Sequence, residues 1–128
     1  MDFVTWLVIG GAVAAFLLLK RLTLVGPAAA LDWLEKGASV IDVRSEGEFQ
    51  ERHLPAAINI PLGQLREEIA RHAPDKEQPL LLHCLSGGRS GVGKGMLRRM
   101  GYRNVFNLGS YGRAEKILGA PAKVRKWG

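Results

Sequence analysis

LLLHCLSGGRSGVGKGMLRRM, residues 80–100, organises the reading of this 128-residue chain. An apolar run, Leu80, Leu81 and Leu82, leads into the only cysteine, Cys84; a Gly-rich turn follows, then residues at helical spacing. That order predicts strand, loop, helix. Backbone N–H groups in such a turn point inward as an anion-binding nest, and a helix beginning near Ser90 adds the positive end of its dipole. A thiol placed there ionises readily, because a helix N-terminus and a cation such as Arg89 both favour the thiolate. A lone cysteine ending an apolar strand is otherwise more often a small buried hydrophobe. Gly87, Gly88 and Arg89 argue against that here, since glycines permit positive φ where a chain curls round an anion and a guanidinium offers it a planar fork. Gly91, Gly93 and Gly95 cost up to about 1 kcal/mol each in a helix relative to Ala, so this helix needs tertiary contacts or a close approach to the sheet.

Outward from this stretch, residues 22–24 read as a short first strand, followed by a turn at Gly26 and a helix with Pro27 in its first turn and Gly37 at its stop. Residues 40–43 form a buried strand whose end presents Asp42 and Arg44. Residues 57–60 give another strand, and residues 62–72 a helix with Leu62, Leu65 and Ile69 on one face. The polar turn PDKEQP (74–79) precedes the Cys84 strand; residues 105–108 supply the last strand and residues 112–118 a final helix. Strands alternating with short helices imply parallel pairing, right-handed crossovers and an α/β sandwich. Sites in open α/β sheets lie at the carboxyl ends of strands, where Cys84 falls. His83 points away from Cys84 if the strand alternates, and is therefore not assigned as a base.

The Cys-x-x-Gly-x-Arg-Ser order of Cys84, Gly87, Arg89 and Ser90 resembles the active-site loop of single-domain rhodaneses, which are sulfurtransferases. A second block, IDVRSEGEFQERHLPAAINIPL (41–62), is similar to the family's other signature at Asp42, Arg44, Glu48, Phe49, His53 and Pro55, although Arg52 and Ala56 stand where that pattern usually has Gly. With GYRNVFNLGSYG (101–112), the likeness covers roughly residues 22–118, and the overall run is similar to that of the family's phage-shock members. The resemblance implies a five-stranded parallel sheet flanked by helices. It also implies a Cys84 persulfide, formed when the thiolate attacks the outer sulfur of thiosulfate or a persulfide donor and passed to a thiol or cyanide acceptor. Leu85, Ser86, Gly87, Gly88, Arg89 and Ser90 would bind the substrate, with Arg89 on the donor's oxyanion and the Ser90 hydroxyl near the sulfur. Asp42 and Arg44 would brace the fold. No metal or organic cofactor is required.

Other functions fit less well. Cysteine-dependent phosphatases and arsenate reductases space their pair as Cys-x5-Arg, whereas Leu85, Ser86, Gly87 and Gly88 make this Cys-x4-Arg, a smaller cup. A catalytically silent adaptor of the same family typically lacks the cysteine. Gly88-x4-Gly93-Lys94 approaches a phosphate-binding P-loop, but Gly95 follows, with no hydroxyl for Mg²⁺. One cysteine rules out an intrachain disulfide and a CxxC zinc site, and His53, His72 and His83 lack metal-cluster spacing. The net charge of +6 is uneven: residues 1–25 carry +1, residues 26–112 carry +1 from eleven basic and ten acidic groups, and residues 113–128 carry +4. The nearly neutral body does not point to nucleic acid.

Residues 3–19 carry no charge and are followed at once by Lys20 and Arg21. As a helix they span about 26 Å, the short end of what a bilayer core needs. Trp6 near the far interface fits a membrane span. A cleaved signal peptide would want a positive n-region, and Asp2 stands there instead, although Ala28, Ala29 and Ala30 mimic a cleavage site. The expected organisation is a transmembrane helix and basic flank (1–21), a rhodanese-like domain (22–118) and a basic tail (119–128). By the positive-inside rule the chain is expected to cross the bacterial inner membrane once, with the domain cytoplasmic. The phage-shock members are exported, which makes a periplasmic domain the alternative. Lys123, Arg125 and Lys126, beside Trp127, could rest on anionic lipid.

Overall fold

In the computed structural model, which describes residues 2–119, the chain folds in the order α1 (Phe3–Leu22), α2 (Pro27–Glu35), β1 (Ser39–Asp42), α3 (Glu46–Glu51), β2 (Ala57–Asn59), a 3₁₀ turn (Leu62–Gln64), α4 (Leu65–His72), β3 (Leu80–His83), α5 (Gly88–Arg99), β4 (Val105–Gly109) and α6 (Tyr111–Leu118). The four strands form one parallel sheet in the order β2-β1-β3-β4. The expected basic tail lies outside the described residues apart from Gly119.

Alternating side chains divide the core in two. Ile41, Leu80 and Leu82 pack with Leu65, Ile69 and Leu97 from α4 and α5 on one face. On the other, Val40, Leu81 and Leu108 meet Ala30, Ala114 and Ile117 from α2 and α6. All three residues 80–82 are fully buried, as a strand covered on both faces requires.

The five-stranded sheet is corrected to four. The expected strand at residues 22–24 is reduced to one parallel bridge, Leu24 with Asn107. The apolar helix continues through Lys20 and Arg21 to Leu22, and Pro27 already opens α2, so too little extended chain remains to make a ladder. That bridge is held firmly: Val25 N donates to Asn107 O at 3.0 Å, and Arg113 Nη2 donates to Val25 O at 2.6 Å.

No residue of α1 is buried. It is the one helix among the described residues long and apolar enough to cross a membrane. At residues 62–72 the expected single helix is a 3₁₀ turn followed by α4.

Candidate active site

β3 delivers Cys84 to the carboxyl end of the sheet, between β1 and β4. A register shift between Leu82 and His83 accompanies Gly109 at φ +92°, so the end of β4 bends beside the loop. The loop is tied across that bend: Cys84 N donates to Gly109 O at 3.2 Å, and Tyr111 N to Leu85 O at 3.1 Å. Helix α5 begins at Gly88, two residues before the expected start, because Gly87 turns the chain at φ +96°. A Cβ at Gly87 would stand 3.3 Å from Gly109 Cα, so both backbone conformation and space call for glycine. No side chain caps α5, and its first N–H groups are left for another acceptor.

Cys84 is fully buried. Gly87 N donates to its Sγ at 3.0 Å, and Ser90 Oγ lies 3.5 Å away. Burial pushes the thiol pKa up. Hydrogen bonds from the Ser90 hydroxyl and from the N–H groups of Ser90, Gly87 and Ser86 outweigh it, and the net direction is down. Ser86, Gly88 and Leu85 complete the loop, with the Leu85 side chain exposed.

Arg89 is engaged by a residue to which no role was given. Its Nη1 donates to Glu48 Oε1 at 2.6 Å and its Nη2 to Oε2 at 3.0 Å. Glu48 is set for this by the start of α3, where Ser45 N and Glu48 Oε1, and Glu48 N and Ser45 Oγ, form a reciprocal capping box. The Arg89 guanidinium holds the Glu48 carboxyl down at about 2. A Ser-x-x-Glu pattern is a local helix-start signal that could have marked Ser45 and Glu48, whereas nothing local points to the partner 41 residues away.

Asn107 is the second such residue. Its Oδ1 accepts from Ser90 Oγ at 2.7 Å and from Gly109 N at 2.8 Å, and its Nδ2 donates to Gly87 O at 3.2 Å. No local pattern marks an asparagine on a strand for this task.

Asp42 and Arg44 do not touch the sulfur. Asp42 Oδ2 accepts from Arg44 Nη2 at 2.8 Å and Oδ1 from its Nε at 3.0 Å, both side chains buried; Arg44 also donates to Arg52 O at 2.6 Å. Arg52 itself pairs with Glu115 at 2.8 Å. His83 packs edge-on to Tyr111, on the face opposite Cys84. Its Nε2, 3.7 Å from Asp42 Oδ2, is buried without a hydrogen bond.

A sequence model of the family described as "Rhodanese-like domain" matches residues 26–112, most of the chain. The chain belongs to the rhodanese-like family. Among relatives of this rhodanese-like chain, thiosulfate sulfurtransferase PspE of Escherichia coli (strain K12) is 44% identical over 69 residues, 54% of this chain and 66% of its own. YqhL of Bacillus subtilis (strain 168), an uncharacterized protein, is 39% identical over 56% of this chain and 55% of its own. The chain thus spans two thirds or less of these curated relatives. Two solved structures are similar: a rhodanese with anions from E. coli (TM-score 0.58, 39% identity, 60% of this chain and 91% of that one) and the human single-domain sulfurtransferase TSTD1 (TM-score 0.62, 25% identity, 78% and 98%).

Proposed function

We propose that this rhodanese-like domain is a sulfurtransferase working through a Cys84 persulfide. The observation that carries it is the Gly87 N–H, 3.0 Å from a buried Sγ, at the head of an uncapped helix. Such donors stabilise negative charge on sulfur before and after transfer. The Cys84 thiolate attacks the outer sulfur of thiosulfate; the S–S bond to the sulfonate sulfur breaks, sulfite leaves with the bonding pair, and Cys84 holds the sulfane sulfur. An acceptor thiolate or cyanide then attacks that sulfur and Cys84 departs as thiolate. The N–H groups of Leu85, Ser86, Gly87, Gly88, Arg89 and Ser90 line the path of the transferred atom. Arg89 meets the donor's oxyanion with the N–H groups that Glu48 leaves free, while Asp42 and Arg44 brace the carboxyl ends of the strands. The names of the PspE and TSTD1 relatives support this chemistry.

The same proposal places α1 across the bacterial inner membrane, with the domain cytoplasmic and close to the lipid. The support is an apolar helix of 20 residues, none buried, with Lys20 and Arg21 in its last turn.

Intact mass spectrometry after incubation with thiosulfate tests the chemistry. One added sulfur, about 32 Da, is expected on Cys84 and absent from Cys84→Ser. A protein that never gains it, yet hydrolyses an aryl phosphate, belongs to the phosphatase class instead.

A further inference from the structure

A groove of about 630 Å³ runs between α1 and the active-site loop. Ala14, Leu17, Leu18 and Leu24 line it with apolar side chains, and Ser86 and Gly87 line it from the active-site loop. Gly87 also carries the N–H that touches the sulfur, so the groove runs against the loop that holds Cys84, although Cys84 itself does not line it.

Its charged border is equally specific. Lys20, Arg21 and Arg113 line the groove, and none of the three has a carboxylate within 4.0 Å among the described residues. Arg113 donates only to neutral carbonyls, Leu108 O at 2.7 Å and Val25 O at 2.6 Å, so its half-buried charge is not neutralised. The anchor cannot swing away from this border easily. Thr23 O accepts from Lys94 Nζ at 3.3 Å, and Val25 is held by Asn107 and Arg113.

If α1 spans the bilayer, Ala14, Leu17 and Leu18 lie within about two turns of its basic end, at the edge of the hydrocarbon, and the three cations lie at headgroup level. An apolar channel ending in uncompensated positive charge matches an anionic amphiphile. A thiol is one of the two acceptors proposed for the loop beside it.

We propose that the sulfur acceptor is a thiol carried on an anionic, acyl-tailed amphiphile that enters along α1 from the bilayer surface. This rests on the persulfide chemistry proposed above. The acceptor thiolate attacks the outer sulfur of the Cys84 persulfide, forming a new S–S bond. The bond to Cys84 breaks, Cys84 leaves as thiolate with the bonding pair, and the proton released when the acceptor thiol became a thiolate ends on the transferred terminal sulfur. No oxidant or reductant is consumed.

The test uses the full chain in phosphatidylcholine vesicles, loaded with thiosulfate, and follows loss of the added sulfur by intact mass. N-palmitoylcysteine should unload Cys84 at least about tenfold faster than N-acetylcysteine, and the methyl ester of the palmitoyl thiol should fall between them. Leu17→Trp, or independently Ala14→Phe, fills the groove without adding charge and should return the palmitoyl-to-acetyl ratio toward one. A ratio that both variants leave intact reflects partitioning into lipid and overturns the proposal. So does a preference abolished by phosphatidylglycerol in the vesicle, which would make the groove a phospholipid seat. If Cys84 never loads with sulfur, the sulfurtransferase proposal has failed; normal loading with equal unloading by all thiols removes only the amphiphile.

Discussion

The Ser90 hydroxyl lies 2.7 Å from Asn107 Oδ1 and 3.5 Å from Cys84 Sγ, with Gly87 O at 3.2 Å, and it has one proton for the three. At the shortest distance it donates to Asn107, and it can rotate toward the sulfur once negative charge develops there. Asn107 is thus placed to tune a Cys84 thiolate through Ser90. Asn107→Asp keeps the acceptor and adds a negative charge, which should raise the Cys84 pKa by about one pH unit or more. The pH dependence of iodoacetamide alkylation reads this directly. An unmoved profile, with only a lower melting temperature, would leave Asn107 a purely structural residue.

Arg89 is already forked onto Glu48, so its planar geometry matters before any donor arrives. Arg89→Lys should raise KM for thiosulfate about tenfold, since losing a charge-assisted hydrogen bond costs roughly 1.5–3 kcal/mol. A bulky neutral persulfide donor should suffer less, and equal losses for all donors would point to loop bracing. The carboxylate side has its own signature. The pKa of Glu48 falls from 4.5 to about 2 on folding, so its contribution is present above pH 4.5 and is lost as pH drops toward 2. With both side chains partly exposed, that contribution is about 1 kcal/mol or less. Glu48→Gln should flatten the acid limb of a melting-temperature profile.

His83 supplies a second pH response. Burial lowers its pKa below 6.5, and Asp42 opposes this without reversing it, because the Asp42 oxygens already serve Arg44. Nδ1 lies 3.3 Å from Cys84 O, the Arg44 charge disfavours protonation, and Tyr111 closes the ring's other side. The unfolded chain therefore binds the proton more readily. The stability this provides is present above pH 6.5 and falls below it by up to about 1.4 kcal/mol per pH unit until the folded pKa is reached. Denaturant titrations from pH 7.5 to 5.5 should show that slope, and His83→Phe should reduce it. A wild-type slope retained in His83→Phe would assign it to other groups.

The helix glycines separate by their surroundings. A Cβ on Gly93 would come within 2.9 Å of Leu82 Cδ2 and 3.1 Å of Leu65 Cδ2, both fully buried; one on Gly95 meets only Arg99 Nη2, at 3.7 Å. Gly95→Ala should stabilise by about 0.5–1 kcal/mol through helix propensity, whereas overpacking should leave Gly93→Ala less stable by about 1 kcal/mol. Thermal melts of the two variants should move in opposite directions; a shared sign would contradict the packing account.

Topology is decided by fusions at the carboxyl end. Fluorescence from a green fluorescent protein fusion, without activity from an alkaline phosphatase fusion, is expected for a cytoplasmic domain. Strong phosphatase activity in intact bacteria would move the domain to the periplasm.

What the sequence determined by itself was whatever lies within a few residues of its cause: the apolar strand into Cys84, the glycine turn at Gly87, the helix after it, and the alternation that makes the sheet parallel. An uninterrupted apolar run also marked α1, but not its end. Whether Leu22 closed a helix or opened a strand depended on how much extended chain remained before Pro27, and only the folded arrangement reduced that strand to the Leu24–Asn107 bridge. Glu48 reaches Arg89 across 41 residues and Asn107 reaches Ser90 across 17, because sheet order and register bring β1, β3 and β4 side by side at their carboxyl ends. No side-chain period encodes such a pairing. It arises when loops close and strands register, and so the partners that set the charge around Cys84 were decided by tertiary structure.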